Sequence, residues 1–296
     1  MDHQTADRIT IGDGRLSASI KLHGAELCSV KDASGREMLW QAGPAWPRHA
    51  PVLFPIVGRL AHHRLRHNGQ DHSLTQHGFA RDRLFTATSQ DAHSCTLTLQ
   101  DDDATRALYP FAFRFSLSFS VADGLLTIAY RCDNTGRETL PVNMGAHPAF
   151  IWPLADGIAK SAHVLTFEQE EDAPIPRLQD GLLGPAIHPS PIADRVLKLD
   201  EQLFTTDAII LPEINSRSVR FTAPGAPGIE MTWQGFPAFG IWMRPPGDFL
   251  CLEPWHGMAS PQGFEGEITD KPGVALLPPG QTLAARFTIR ILETSA

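Results

Sequence analysis

The stretch Phe111-Ala-Phe-Arg-Phe-Ser-Leu-Ser-Phe-Ser-Val121 decides the fold class of this 296-residue chain, because every odd position carries an apolar side chain. Alternation with a period of two is typical of a strand that buries one face and exposes the other. Ala122-Asp-Gly124 then supplies a turn, and apolar residues alternate again from Leu126 to Cys132. The sequence therefore predicts a β-hairpin in the middle of the chain.

The same alternation recurs on both sides of the hairpin, in Cys95–Leu99 and in Leu283–Ile291. The 24 glycines and 24 prolines interrupt nearly every stretch long enough for an amphipathic helix. We therefore predict an all-β fold with few short helices. Short strands, frequent turns and no internal repeat at a fixed period favour a large antiparallel β-sandwich over a propeller.

The segment Glu168–Pro191 contains five prolines and few paired apolar positions. It is either a long excursion over a sheet or a seam between two domains. We expect the excursion, because no break in composition marks a linker elsewhere. The prediction is thus a single domain that spans residues 1–296.

Composition and charge narrow the classes of partner. The formal net charge is −8 and no basic stripe is present, so we expect no nucleic acid partner. Nothing near Met1 resembles a leader, and no stretch approaches the roughly 18 apolar residues that span a bilayer. We expect no membrane partner and a cytoplasmic protein. The four cysteines lie far apart without a CxxC pair, which predicts reduced core thiols.

Two polar residues stand inside apolar stretches. His147 lies in Met144–Phe150, where the following proline favours extended backbone; it is either a buried histidine bonded to the backbone or a functional group. Glu253 lies in Phe249–Trp255 among large apolar neighbours. Burial would raise the pKa of this carboxyl and make it a proton acceptor near neutral pH, unless an arginine pairs with it internally.

Three further stretches offer polar groups beside glycines or turns. Arg59 ends an apolar run, His77 and Arg81 flank another glycine, and Asp207 precedes a strand. The arginines and His77 either hold sugar oxygens or an oxyanion, or tie surface loops together. Asp207 either caps a turn or binds a hydroxyl group.

A group of histidines close together in the sequence suggests a metal site. However, no HExxH or CxxC motif accompanies them, and we therefore expect no metal. The histidines concerned are His62, His63, His67 and His72. The sequence also has no GxGxxG, GxxxxGK[ST] or GxSxG motif. We therefore expect neither a nucleotide cofactor nor acyl-enzyme chemistry.

Five motifs taken in chain order resemble the aldose 1-epimerase family, and its LacX-type branch in particular. They are Phe54–Arg59, His77–Arg81, Gly145–Phe150, Phe204–Asp207 and Cys251–Trp255. The resemblance implies a galactose mutarotase-like β-sandwich with an open cleft on one sheet and without a metal or organic cofactor. It also implies a sugar as the partner of a monomer or homodimer.

The resemblance implies that the enzyme interconverts the α and β anomers of a free aldose such as glucose or galactose. Glu253 would be the base that removes the proton of the anomeric hydroxyl, and His147 the acid that protonates the ring oxygen. We expect the nearby carboxylate to favour the charged form of His147. Arg59 and His77 would orient the sugar, and Asp207 would bind a hydroxyl group.

Further contacts and alternatives follow from the same resemblance. Trp255 is the aromatic residue that we expect to stack on the sugar, ahead of Phe79 and Trp242. Arg48 and Arg81 resemble positions near the phosphate-binding arginines of hexose-6-phosphate epimerases, so a phosphorylated aldose stays an alternative. Two others are a sugar-binding protein without activity, and a glycosidase or lyase with a second carboxylate facing the first.

Overall fold

The computed structural model describes residues 7–294, and β-strands dominate it. In chain order the strands are β1 Arg8–Gly12, β2 Leu16–Lys21, β3 Leu27–Asp32, β4 Arg64–His67, β5 Gln70–Ser73, β6 Thr86–Gln90, β7 Ser94–Gln100, β8 Phe113–Ala122, β9 Leu125–Asn134, β10 Leu140–Val142, β11 Met144–Gly145, β12 Ala149–Ile151, β13 Val164–Phe167, β14 Ile175–Gln179, β15 Leu182–His188, β16 Val196–Lys198, β17 Ile209–Leu211, β18 Ser218–Thr222, β19 Gly228–Gln234, β20 Ala238–Trp242, β21 Phe249–His256, β22 Ala275–Leu277 and β23 Thr282–Leu292.

Helices are short and few. One α-helix, α1, covers Asp103–Leu108, and the Asp102 side chain caps it by accepting a hydrogen bond from the Thr105 backbone. The single-turn 3-10 helices are Ala61–His63, Ala80–Asp82, Lys160–Ala162, Glu201–Phe204 and Ile268–Asp270. Within residues 7–294, no helix has the length and apolar character needed to cross a bilayer.

The larger sheet has nine antiparallel strands in the order β16-β13-β18-β19-β23-β9-β8-β7-β6. The predicted hairpin lies near its middle, where β8 and β9 pair from Phe113 opposite Asn134 to Ala122 opposite Leu125. The odd residues of β8 are buried and the even ones are more exposed, as the alternation predicts. The structure confirms the hairpin and the flanking strands β7 and β23.

A smaller sheet supplies the second layer of the sandwich. Its strands follow the order β11-β21-β20-β17, and β12 pairs with the other part of β21. Phe239 of β20 stacks on Trp233 of the large sheet with ring centroids 4.6 Å apart, which joins the two layers. The opposite face of the small sheet carries the cleft described below. The predicted all-β sandwich is thus confirmed.

The segment Glu168–Pro191 contains a two-stranded ribbon, β14–β15, whose strands pair only with each other. The ribbon rests on the loop after β21: Leu183 donates its N–H to the Ser260 carbonyl, and Gln262 donates its N–H to Leu183. The four cysteines are buried and free, which confirms the expectation of reduced core thiols.

Candidate active site

An open cleft of about 630 Å³ lies on the outer face of the small sheet. Strands β20 and β21 form its floor, and the β14–β15 ribbon contributes one wall. The polar and aromatic side chains along it include Trp46, Gln76, His77, Arg81, His147, Asp180, Asp207, Trp242, Arg244, Glu253 and Trp255. This size is within the range of small-molecule sites, and most of the predicted site residues meet here.

Glu253 lies on the cleft floor in the middle of β21. Side chains alternate along a strand, so Cys251, Glu253 and Trp255 share one face of β21. The Glu253 side chain is only 1% exposed. Burial raises the pKa of this carboxyl well above its usual range, and the negative charge of Asp207 raises it further. This upward shift of the Glu253 pKa has the direction that the sequence predicts for a buried proton acceptor.

His147 lies between β11 and β12 and faces Glu253 directly. Its Nε2 is 3.2 Å from Oε2 of Glu253. We expected this carboxyl to favour a charged imidazole, but burial, together with the positive charges of Arg81 and Arg48, lowers the pKa of His147 to about 3. Burial thus opposes the negative charge of the Glu253 carboxylate and the positive charge of the His147 imidazolium alike.

Aromatic rings surround the His147 imidazole. Trp46 stacks on it with ring centroids 5.0 Å apart, while Trp242 and His77 approach edge-on at 5.5 Å and 5.7 Å. Trp46 also packs against Phe249 of β21. Our sequence reasoning missed Trp46, because the segment around it has no periodic pattern and shares no residue with the five motifs.

The loop that carries Trp46 is fixed at its end by Glu26. Oε1 of Glu26 accepts hydrogen bonds from the backbone N–H groups of His49 and Ala50 at 2.8 Å and 3.2 Å, and Lys21 Nζ donates to Oε2 at 3.1 Å. Burial alone would raise the pKa of Glu26, but the side chain and the backbone N–H of His49, together with the charge of Lys21, lower it to about 2. The carboxylate therefore holds the loop against the sandwich.

His77 is partly buried, and its backbone lies in the left-handed region, at φ 66°. Its Nδ1 accepts a hydrogen bond from the backbone N–H of Gly58 at 3.1 Å, which places the proton of the neutral ring on Nε2. Burial lowers the pKa of His77 well below its usual value, and the charges of Arg81 and Arg48 act in the same direction. His77 is therefore a neutral hydrogen-bond donor.

Arg81 lines the cleft, whereas Arg48 stands behind it. Arg81 donates from Nη2 to the Gln76 carbonyl at 2.7 Å, and its buried Nε has no hydrogen-bond partner in the part of the chain described. Asp82 lies between the two arginines, 2.9 Å from Arg48 Nη2 and 3.8 Å from Arg81 Nε. Two guanidinium groups thus share one carboxylate.

Arg59 does not line the cleft. Its Nη1 donates to the backbone carbonyl of Asp180 in the β14–β15 turn at 2.8 Å, and Gly181 packs against its guanidinium stem. A contact between Arg59 and the sugar stays a prediction. In this arrangement Arg59 fixes the ribbon that forms the cleft wall.

Asp207 lines the cleft and is exposed, at φ 70° before β17. Its Oδ1 accepts a hydrogen bond from the backbone N–H of Ala208 at 2.8 Å, as expected for a residue that caps a turn. The carboxylate also faces Glu253 closely enough to raise the pKa of that group. Asp207 thus both caps the turn and lines the cleft. The nearby Arg177 was not predicted from the sequence.

Trp255 lies flat across the strands that flank β21. A Cβ added at Gly145 would lie 2.7 Å from Cδ1 of Trp255, and one added at Gly240 would lie 2.5 Å from Cζ2. The two glycines therefore lie under opposite ends of the indole, and together they let the ring rest on the sheet. Phe79, by contrast, packs into the core against Phe54.

The histidines between residues 62 and 72 do not converge. His67 Nε2 lies 3.1 Å from Glu138, and His72 Nδ1 lies 3.1 Å from the Ala107 carbonyl. Among residues 7–294, the group of three side chains at metal-ligand spacing is His147, Cys251 and Glu253.

Several known proteins resemble this chain in sequence and in fold. "Protein LacX, chromosomal" from Lactococcus lactis subsp. lactis is 31% identical over 94% of this chain and 97% of its own length. Two solved structures superpose with TM-scores of 0.89. They are a galactose mutarotase related enzyme from Lactobacillus acidophilus (31% identity, covering 97% of this chain and 98% of that one) and a galactose mutarotase-like protein from Lactobacillus casei ATCC 334 (26% identity, covering 96% and 99%).

The sequence model of aldose 1-epimerases matches residues 7–274, which include all five motifs and every side chain assigned to the cleft above. This match extends over most of the chain, and the fold of the two structural relatives is the one described here. The chain therefore belongs to the aldose 1-epimerase family.

Proposed function

We propose that this protein interconverts the α and β anomers of a free aldose by general acid and base catalysis, with Glu253 as the base and His147 as the acid. The observation that carries the proposal is the 3.2 Å approach of His147 Nε2 to Glu253 Oε2 on the floor of a sugar-sized cleft. Two proton carriers at this distance serve two oxygens bonded to the same carbon, the anomeric hydroxyl and the ring oxygen.

The number of protons that His147 and Glu253 hold together suits a reaction without net proton uptake. An acid beside a neutral imidazole and a carboxylate beside an imidazolium both hold one proton. Hydroxyl groups of a bound sugar stabilise the ionised carboxylate by hydrogen bonding, which favours the second form. Glu253 then accepts the anomeric proton while His147 donates to the ring oxygen, and the ring opens to the aldehyde.

Ring closure reverses the two proton transfers. Rotation about the bond between the first two carbons presents the other face of the carbonyl, His147 recovers a proton from the attacking hydroxyl, and Glu253 returns one to the carbonyl oxygen. The pair ends with the protons it began with. No electrons are transferred, so the cycle closes with these two side chains.

Three residues around the pair support sugar binding. His77 is a neutral donor with its proton on Nε2, and Asp207 is an exposed carboxylate that accepts hydrogen bonds from hydroxyl groups. Trp255 offers a flat ring for the apolar face of a pyranose. These groups position the sugar, whereas Glu253 and His147 move its protons.

A phosphorylated aldose is a second candidate substrate, because Arg48 and Arg81 share the single carboxylate of Asp82. Asp82 can neutralise only one of the two guanidinium charges. The remaining positive charge favours an anion near the His77 end of the cleft. Initial rates with glucose and with glucose 6-phosphate separate the two substrates. If Arg81→Ala lowers kcat/KM for the phosphate at least tenfold more than for glucose, the phosphate is the substrate.

Polarimetry with freshly dissolved α-glucose and α-galactose tests the main proposal. We expect Glu253→Gln to lower kcat at least about a hundredfold with an unchanged circular dichroism spectrum, since general base catalysis contributes about 10²–10⁴. Glu213→Gln, which changes an exposed carboxylate, should have wild-type activity. Anomerisation no faster than in buffer with every aldose tried would refute the proposal.

The same preparations separate the remaining alternatives. Calorimetric binding of a sugar without measurable anomerisation would indicate a binding protein. Release of monosaccharides from a disaccharide panel would indicate a glycosidase, which requires a second carboxylate across the scissile bond.

A further inference from the structure

Cys251 places a third potential metal ligand beside the catalytic pair. It precedes Glu253 by two residues on β21, so both side chains lie on the same face of the strand. One ring nitrogen of His147, Sγ of Cys251 and one carboxylate oxygen of Glu253 all lie within 4.8 Å of one another. The proposed reaction uses the imidazole and the carboxyl but gives the thiol no role.

The spacing of these atoms is close to that of a tetrahedral zinc site. With zinc bonds of about 2.0–2.2 Å, a nitrogen and an oxygen ligand stand about 3.3 Å apart, and His147 Nε2 and Glu253 Oε2 stand 3.2 Å apart. A sulfur at about 2.3 Å from zinc would stand about 3.6 Å from either ligand, so each of the two distances from Sγ needs to shorten by at most about 1.2 Å.

The coordinating groups are also buried and poorly partnered. The side chains of His147 and Glu253 are 9% and 1% exposed, and Cys251 is fully buried. Oε2 of Glu253 accepts no hydrogen bond of good geometry from residues 7–294. A cation at this point would therefore satisfy a buried carboxyl oxygen without breaking an existing hydrogen bond.

We propose that His147, Cys251 and Glu253 bind a borderline-soft divalent cation such as Zn²⁺, and that the bound ion inhibits the enzyme. The metal forms bonds to Nε2, Sγ and a carboxylate oxygen, and the thiol and carboxyl protons leave to solvent. The cleft supplies a fourth ligand, a water molecule or a sugar hydroxyl. No oxidation or reduction is involved.

The surroundings of His147 indicate an inhibitory ion and not a resident one. A histidine in a resident site normally donates its second ring N–H to a carbonyl or carboxylate. Nδ1 of His147 has no such partner among the described residues. The ion therefore competes with the sugar for the two groups that transfer protons.

Zinc inhibition of anomerisation tests the inference, which rests on the proposed function for this readout. We expect ZnCl₂ to raise the apparent KM for α-glucose, whereas MgCl₂, a hard cation that prefers oxygen ligands, has no effect. Cys251→Ala should keep the activity measured without zinc and raise the inhibitory zinc concentration at least about tenfold. Cys95→Ala, a buried cysteine of β7 remote from the cleft, should match the wild type.

Two activity results would overturn the inference: a wild-type enzyme that zinc does not inhibit, or equal inhibition of the wild type and Cys251→Ala. Binding of Co²⁺ gives a readout that is independent of activity. A thiolate-to-cobalt charge-transfer band in the wild type and Cys95→Ala, absent from Cys251→Ala and Cys251→Ser, supports the site even if no aldose is turned over. Absence of the band from the wild type overturns it.

Discussion

Replacing Gly240 by alanine should lift the Trp255 ring from the sheet. The new Cβ would lie 2.5 Å from Cζ2 of Trp255, whereas carbon atoms in contact stand about 3.5–4.0 Å apart. The six-membered end of the indole must therefore rise by about 1 Å. Gly240 has an ordinary strand backbone, so steric overlap with the ring is the main cost of the substitution.

The size of the effect follows from this displacement. Overpacking costs about 1–3 kcal/mol of folding free energy, and each kcal/mol lowers the Tm of a large domain by roughly 2–4 °C. A shift of about 1 Å in a substrate-positioning group costs up to about a hundredfold in rate. We expect kcat/KM for α-glucose to fall between about ten- and a hundredfold, measured by polarimetry beside differential scanning calorimetry.

A second substitution isolates the cause. Phenylalanine at position 255 has no atoms equivalent to Cζ2 and Cη2, so Gly240→Ala should cost at least about 1 kcal/mol less stability in a Trp255→Phe background. Gly136→Ala, where the nearest atom to the new Cβ is 3.3 Å away, serves as the control. Equal costs in both backgrounds, or an unchanged Tm and kcat/KM in Gly240→Ala, would refute the reasoning.

Three other predictions follow from the site. Trp46→Ala should lower kcat more than Trp46→Phe, which retains a ring against His147; equal kcat values in polarimetry would contradict this. Arg59→Ala should raise KM and increase hydrogen exchange in residues 175–188, because the bond to the Asp180 carbonyl is lost; unchanged exchange would indicate that Arg59 does not hold the ribbon. Glu26 has a pKa of about 2 in the folded state and an ordinary value of 4.5, so its carboxylate stabilises the fold above pH 4.5 and loses this contribution as the pH falls toward 2. Glu26→Gln should therefore be less stable near neutral pH by up to about 3 kcal/mol and show a flatter decline below pH 4.5 in urea titrations; parallel pH profiles would argue against the assignment.

The sequence predicts the large sheet well because its strands are half-buried. The alternation in β8 and β9 identifies their pairing and their buried faces before any coordinates are known. The short strands β11 and β12 around His147 are different, because they contain two and three residues and are buried on both faces. Their positions depend on pairing with β21, which no local pattern encodes.

The site was predicted in its residue types better than in its geometry. Arg59 and Arg81 both lie near glycines in family motifs, yet only Arg81 lines the cleft. The direction of Arg59 is set by Asp180, 121 positions along the chain. Likewise, the contact between His147 and Glu253 follows from the motifs, but the low pKa of His147 comes from its burial beneath Trp46 and Trp242.

The β14–β15 ribbon contributes to the cleft wall without belonging to either layer of the sandwich. Its strands pair with no strand of either layer, so a change in its length or sequence leaves the hydrogen-bond ladders of both layers intact. Leu178, Asp180 and Gly181 nevertheless face the cleft from the ribbon. Under the proposed function, exchanging residues 175–188 between relatives would change the surface that meets the sugar while Glu253 and His147 stay in place.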